Sequence, residues 1–201
     1  MKPYESWEIG EHVIEYLDDC HCYVCDGILV PSITQILKTK FGNKYDGVDR
    51  ETLKRASEKG TAVHEAIETY CKTGVANDFP EVRNFKFLQG QYQFKVLDNE
   101  IPVAIWMDDF PICCGRLDLL LELDGEKCLA DIKRTSVLDK EYLAYQLNLY
   151  RIGYIETYGS DIKYLRGIHL RDDTRKFVNI PINEKMAMDL VNEYLEQEDK
   201  Q

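Results

Sequence analysis

Asp131 and Lys133 stand two residues apart in the run CLADIKRTS. Leu129 and Ala130 before them read as buried strand, and alternation along that strand puts the acid and the lysine on one face. Charged side chains are rarely buried unless they are paired or bind a metal. The chemistry open to this pair is a carboxylate that holds a cation and a lysine that orients or deprotonates a water beside it. The plainer alternative is an ion pair on an edge strand.

The residues just upstream favour the first reading. Asp124-Gly125 lies between two apolar runs, which is the strongest short-range signal for a two-residue hairpin loop. With Leu123 facing Glu126, counting outward sets Asp118 opposite Asp131 and Arg116 opposite Lys133. The count makes Asp118 and Asp131 a non-hydrogen-bonded pair, where side chains come closest. Leu117, Leu119, Leu120 and Leu121 leave this strand buried on both faces. Two opposed carboxylates repel there unless one is protonated or a cation lies between them. Oxygen ligands at that spacing suit Mg²⁺ or Mn²⁺.

Other residues could complete such a site. His64 and Glu68 are i and i+4 within KGTAVHEAIETY and share a helical face, with Glu65 pointing elsewhere. The second histidine of a zinc-protease H-E-x-x-H is missing, which removes that reading. Gln146 and Tyr150 are also i and i+4, and Tyr142 and Gly153 continue their stripe; by itself such a stripe is more often a half-buried packing face. Lys38, Lys40, Lys44, Arg50, Lys54, Arg55 and Lys59 make either a solvated helical face or a local basic cleft.

The elements that must position these residues follow from periodicity and turn signals. Residues 12–30 alternate around Asp18-Asp19 and Asp26-Gly27 as a hairpin. PSITQIL opens a short helix with Ser32 as N-cap and Gln35 completing a capping box. A second helix runs from about Arg50 to Lys72 and stops at Gly74, and residues ~80–97 read as a third. The strand EIPVAIWMD precedes the hairpin, and KEYLAYQLNLYRIGYIETYG is a long helix ended by Gly159. IKYLRGIHL and RKFVNIPI form a further hairpin around Asp172-Asp173. A final helix from about Asn183 buries Met186, Leu190 and Leu195. This order predicts an α/β (α+β) fold, with a mixed sheet flanked by helices.

The 201 residues suit one domain, without repeats or a flexible linker. We expect an N-terminal hairpin and helices over 1–75 and a core over 76–201. A net charge of -11 argues against coating nucleic acid by bulk electrostatics but leaves room for a local cleft. No run approaches ~18 apolar residues, so no membrane span is expected. The start MKPYESWEIGEH lacks the apolar stretch of a signal peptide, and the expected location is the cytoplasm. There the seven cysteines are expected as free thiols. Cys20, Cys22 and Cys25 fit a hairpin better than a zinc knuckle.

Gly60-x-x-x-His64-Glu65, Gly115-Arg116-Leu117-Asp118, Asp131-Ile132-Lys133 and Gln146-x-x-x-Tyr150, taken in order, resemble the motifs of RecB-like nucleases of the PD-(D/E)XK superfamily. VPSITQIL resembles phage-encoded members, and the likeness spans roughly residues 15–180. It implies a restriction-endonuclease-like core that cuts DNA with Mg²⁺ or Mn²⁺. His64, Asp118, Asp131 and the Ile132 carbonyl match the family's metal ligands, and Lys133 its catalytic lysine. Gln146 and Tyr150 match the motif that positions the DNA backbone; Arg116 and Arg134 are expected at the DNA as well. Glu100, at the head of the preceding strand, and Glu68 are further candidates. Some relatives carry an iron–sulfur cluster on one early and three late cysteines. No cysteine follows Cys128 here, so no such cluster is expected.

The expected activity is that of an exonuclease in recombination, repair or phage replication, with DNA as partner and a recombination or replication protein as a further one. A structure- or site-specific endonuclease shares the same site. An acidic, non-catalytic protein-binding module is the rival from another class.

Overall fold

The computed structural model describes residues 5–42 and 47–198. Lys44 of the basic run lies outside them. Strands β1 (Glu5–Ile9), β2 (His12–Leu17), β3 (Cys22–Cys25) and β4 (Ile28–Val30) form a four-stranded antiparallel sheet in chain order. The sequence suggested only the part of this meander over 12–30. β1 escapes notice because its half-buried face is Glu5, Trp7 and Ile9, so a carboxylate interrupts the apolar alternation.

Helix α1 (Ile33–Phe41) begins at the expected capping box: Gln35 N–H donates to Ser32 Oγ at 3.2 Å, and Ser32 N–H to Gln35 Oε1 at 2.8 Å. Helix α2 (Arg50–Thr73) ends where Gly74 turns left-handed at φ 73°. Helix α3 (Pro80–Tyr92) stops earlier than the sequence suggested. Gln93 adopts φ 53°, and Phe94 is then buried, with its ring 5.3 Å from that of Phe177. That burial takes the chain into β5 (Lys95–Met107) rather than another helical turn.

β5, β6 (Phe110–Leu123), β7 (Glu126–Lys133), β8 (Tyr164–Leu170) and β9 (Arg175–Ile180) make a five-stranded sheet in chain order. β7 and β8 are parallel and joined through α4 (Lys140–Tyr158), while the other pairs are antiparallel. Asp124 and Gly125 have φ of 53° and 80°, the double left-handed geometry of a type I′ hairpin turn. Helix α5 (Glu184–Glu198) closes the fold and buries Ala187, Leu190 and Val191; Met186 and Leu195 are only half-buried.

Both faces of the five-stranded sheet are covered, as the leucine run requires. Leu120 and Leu129 pack with α1, α4 and α5, while Leu119, Leu121, Cys128 and Ala130 pack with α2 and α3. The four-stranded sheet rests through Ile14, Tyr23, Cys25 and Val30 on Ala104 and Cys114. The result is a mixed α/β protein with five helices and two sheets among the described residues. No described helix is long and apolar enough to cross a membrane.

One close approach fixes how α1, β6 and α4 meet. A Cβ on Gly115 would lie 2.7 Å from Tyr150 Cε1 and 2.9 Å from Ile33 Cδ1. Gly115→Ala should therefore destabilise the protein by about 1–3 kcal/mol in urea denaturation. Gly90→Ala is the control, since nothing lies within 4 Å of its added Cβ and helix propensity favours alanine. Equal stability of Gly115→Ala and the natural chain would refute this packing account.

Candidate metal centre

The hairpin keeps the counted register from Leu123 opposite Glu126 as far as Leu119 opposite Ala130. There the β6–β7 ladder stops, one pair short of Asp118 and Asp131. β7 goes on pairing with β8, so Lys133 is opposite His169, and β6 goes on pairing with β5, so Arg116 is opposite Pro102. The expected pairings of Asp118 with Asp131 and Arg116 with Lys133 are thus absent from the ladder. Asp118 instead accepts the Ile132 N–H on Oδ2 at 2.7 Å. Two like charges forced face to face would repel, and a carboxylate on a backbone donor removes both the clash and an orphan amide.

Where the strands part, α2 delivers His64. Its Nε2 lies 3.0 Å from the Ile132 carbonyl, and its Nδ1 lies 3.6 Å from Asp118 Oδ2. A carbonyl can only accept, so Nε2 donates in that bond, and Nδ1 is the ring atom turned toward Asp118. His64 is half-buried rather than lost in the core with Val63 and Ile67. Both polar backbone groups of Ile132 thus orient side chains of the site.

Glu100 completes the convergence. Its backbone is left-handed at φ 52° in the middle of β5, and the β5–β6 ladder skips it between Asn99–Leu119 and Ile101–Leu117. That skipped position is the one facing Asp118. One ligand atom each from His64, Glu100 and Asp118 lies within 4.8 Å of the others. Burial, reinforced by Asp118, pushes the Glu100 carboxyl up to about 7 against the pull of Arg116 and His64.

Asp131 and Lys133 sit beside this cluster. Asp131 is 1% exposed, and its Oδ2 lies 2.7 Å from Lys133 Nζ without hydrogen-bond alignment. Burial drives the Asp131 carboxyl upward, Lys133 opposes the shift, and Asp118 adds to it. Burial alone would lower the Lys133 ammonium, but Asp131 and Asp118 outweigh it and hold it charged. The Lys133 ammonium also lies 5.7 Å from the centre of the Tyr142 ring. On α4, Gln146 donates to the Tyr150 hydroxyl at 3.4 Å, and both residues are buried. Gln146 Oε1 is buried and has no hydrogen-bond partner among the described residues.

A cleft of about 1380 Å³ runs between the four-stranded sheet and α2, and His64, Glu68, Glu100, Arg116, Asp118 and Tyr150 all line it. Glu68 pairs with Lys72 at its edge. Arg134 is placed elsewhere: it donates to buried Glu81 at 2.6 Å and pairs with Asp172 at 3.2 Å, tying the segment after β7 to α3 and the β8–β9 turn. The basic run is largely engaged as well, with Lys40 on Glu141, Lys54 on Glu58, Arg55 on Glu51 and Lys59 on Asp172. Lys38 does reach the cleft. Cys25 is buried beneath its sheet, the backbone carbonyl of Cys20 accepts from Gln35 Nε2 at 3.3 Å, and Cys22 Sγ lies 3.7 Å from the same nitrogen.

The sequence motifs did not single out Glu5, which donates no chemistry of its own but accepts from Arg116 Nη1 across the cleft. Nothing in the sequence spacing links residues so far apart.

Neither the protein-family models nor the curated proteins contain a match. Among solved structures, the crystal structure of SSO0001 superposes with a TM-score of 0.47 at 14% identity, covering 83% of this chain and 75% of that one. A likeness of that degree carries no argument about chemistry, which rests on the residues themselves.

The Asp131–Lys133 pair can be tested by stability. Lys133→Ala strands a buried carboxylate and should cost about 3 kcal/mol, read by urea denaturation at neutral pH. Adding Asp131→Asn should restore most of that loss. A double variant no more stable than Lys133→Ala would mean that the two charges do not compensate each other.

Proposed function

We propose that this chain is a metal-dependent DNA nuclease of the RecB-like branch of the PD-(D/E)XK superfamily, acting as an exonuclease on a restriction-endonuclease-like core. The convergence of His64, Glu100 and Asp118 next to the buried Asp131–Lys133 pair carries this reading. The five-stranded mixed sheet with helices on both faces is compatible with such a core.

The donors suit Mg²⁺ or Mn²⁺. His64 Nδ1, Glu100 and Asp118 are close enough to share one cation, and the set is rich in oxygen with a single imidazole. A bound ion would neutralise charge building on a scissile phosphate and make its water more acidic. Asp118 and Glu100 would hold that ion from adjacent strands, and the Ile132 carbonyl keeps the His64 ring turned toward it. Asp131, the remaining carboxylate, faces Lys133 and keeps it protonated. The lysine can then orient a water by donation or stabilise negative charge at the phosphate. Tyr150 borders the cleft, which fits it to hold the nucleic acid, while buried Gln146 acts behind it by donating to its hydroxyl. Arg116, its guanidinium shared between Glu5 and Glu100, is poorly placed to grip phosphate.

End-labelled linear DNA and covalently closed circles, each with Mg²⁺, Mn²⁺ or EDTA, test the proposal. We expect label release from linear DNA with either metal, none with EDTA, and intact circles. Asp118→Asn should abolish release, and Lys133→Ala should slow it about 10³-fold while Mn²⁺ binding survives in calorimetry. His64→Ala should reduce the advantage of Mn²⁺ over Mg²⁺. Cleavage that persists in EDTA or in Asp118→Asn would refute the nuclease reading. Metal binding without cleavage of any DNA would favour the non-catalytic module, and nicked circles the endonuclease.

A further inference from the structure

Arg116 is held from three sides. Its Nε lies 2.7 Å from Glu100 Oε2, its Nη1 donates to Glu5 Oε2, and its guanidinium carbon sits 6.0 Å from the centre of the Tyr16 ring. Glu5 and Tyr16 come from β1 and β2 and are direct cross-strand partners, so the four-stranded sheet presents a carboxylate and an aromatic face together. Glu100 comes from the other sheet and belongs to the convergent cluster. A single guanidinium therefore bridges the two sheets at the edge of the metal centre.

The charges make this bridge consequential. An arginine committed wholly to Glu100 would cancel the negative charge that a cation needs there. A carboxylate on the arginine's other edge restores one negative charge to the trio and draws the guanidinium away from Glu100. Arg116 also fixes Glu100 through Oε2, which leaves its other oxygen for a ligand role. The left-handed backbone of Glu100 would otherwise be strained without support.

We propose that Glu5 is a positioning residue that acts through Arg116 to set the cation affinity of the Glu100 centre, so that docking of the N-terminal sheet is coupled to metal binding. This rests on the metal-centre reading above but not on DNA cleavage. Undocking β1 leaves Arg116 to Glu100 alone and weakens the site. Docking β1 restores it. By linkage, a bound cation must in turn favour the docked sheet.

Calorimetry with Mn²⁺ on the full chain tests this, using the natural protein, Glu5→Gln, Arg116→Ala and the double variant. Glu5→Gln should weaken Mn²⁺ binding by about fivefold or more. In the Arg116→Ala background the same substitution should change nothing, which a general loosening of β1 would not reproduce. Equal losses in both backgrounds, or no loss in either, overturn the coupling. Should Arg116→Ala fail to fold, the series Glu5→Asp, Glu5→Gln and Glu5→Lys replaces it. Affinity should fall in that order at constant melting temperature, and a flat series overturns the proposal. A natural chain that binds no Mn²⁺ would instead remove the metal centre, and the coupling with it.

Discussion

The hydrogen bond from the Ile132 N–H to the Asp118 carboxylate stands where β6 would otherwise supply a backbone partner. A buried amide must be satisfied, and an ionised acceptor does so more strongly than a carbonyl. Once Asp118 takes that role, the two strands need not stay paired past Leu119 and Ala130. The opening between them is what lets a histidine from α2 reach the Ile132 carbonyl. The continuing ladders on either side, β6 with β5 and β7 with β8, keep the opening from spreading. A rigid frame with one planned gap is a good way to hold several polar groups in fixed directions.

The gap gathers charges that a fold chosen only for stability would keep apart. Glu100, Asp118 and Asp131 lie among His64, Arg116 and Lys133, and burial works against the ionised forms of Glu100, Arg116, Asp131 and Lys133. The positive groups are not interchangeable. Lys133 answers to Asp131, Arg116 to Glu100 and Glu5, and His64 is turned toward Asp118 by a backbone carbonyl. Asp118 gives one oxygen to a neutral amide and, among the described residues, pairs with no arginine or lysine of its own. One ligand atom from each of His64, Glu100 and Asp118 lies within 4.8 Å of the others, which is the geometry a shared cation requires.

Much of this was legible from local chemistry. Asp124-Gly125 fixed the hairpin register through ten residues, and the Ser32–Gln35 capping box, Gly74 and Gly159 marked helix ends at the observed places. Such signals depend on neighbours in sequence and survive any tertiary context. What failed depended on distance. The register said that Asp118 and Asp131 should face each other, but their repulsion ended the ladder first. In α5, Met186 and Leu195 lie on opposite flanks of the buried face, which packing on α4 centres on Ala187, Leu190 and Val191. Arg134, expected at the DNA, is paired with Glu81, which is buried on α3 and far away in the chain. Glu81 shows no sign in the sequence of being buried.

Glu100 marks the sharpest limit of sequence reading. A glutamate inside a strand pattern carries no hint of a positive φ, a conformation that favours glycine and, after it, asparagine and aspartate. The strain costs about 1–3 kcal/mol and persists only where the surroundings over-determine it. Here the flanking pairs Asn99–Leu119 and Ile101–Leu117 pin the backbone on either side, and Arg116 pins the carboxylate. Extended geometry at this residue would keep the β5–β6 ladder unbroken and satisfy local preference. It would also change the direction of the side chain, which a regular strand sends to alternate faces. The chain therefore gives up one ladder position to bring a carboxylate close to Asp118, and the Arg116 guanidinium and a carboxyl pushed up to about 7 offset the repulsion between the two.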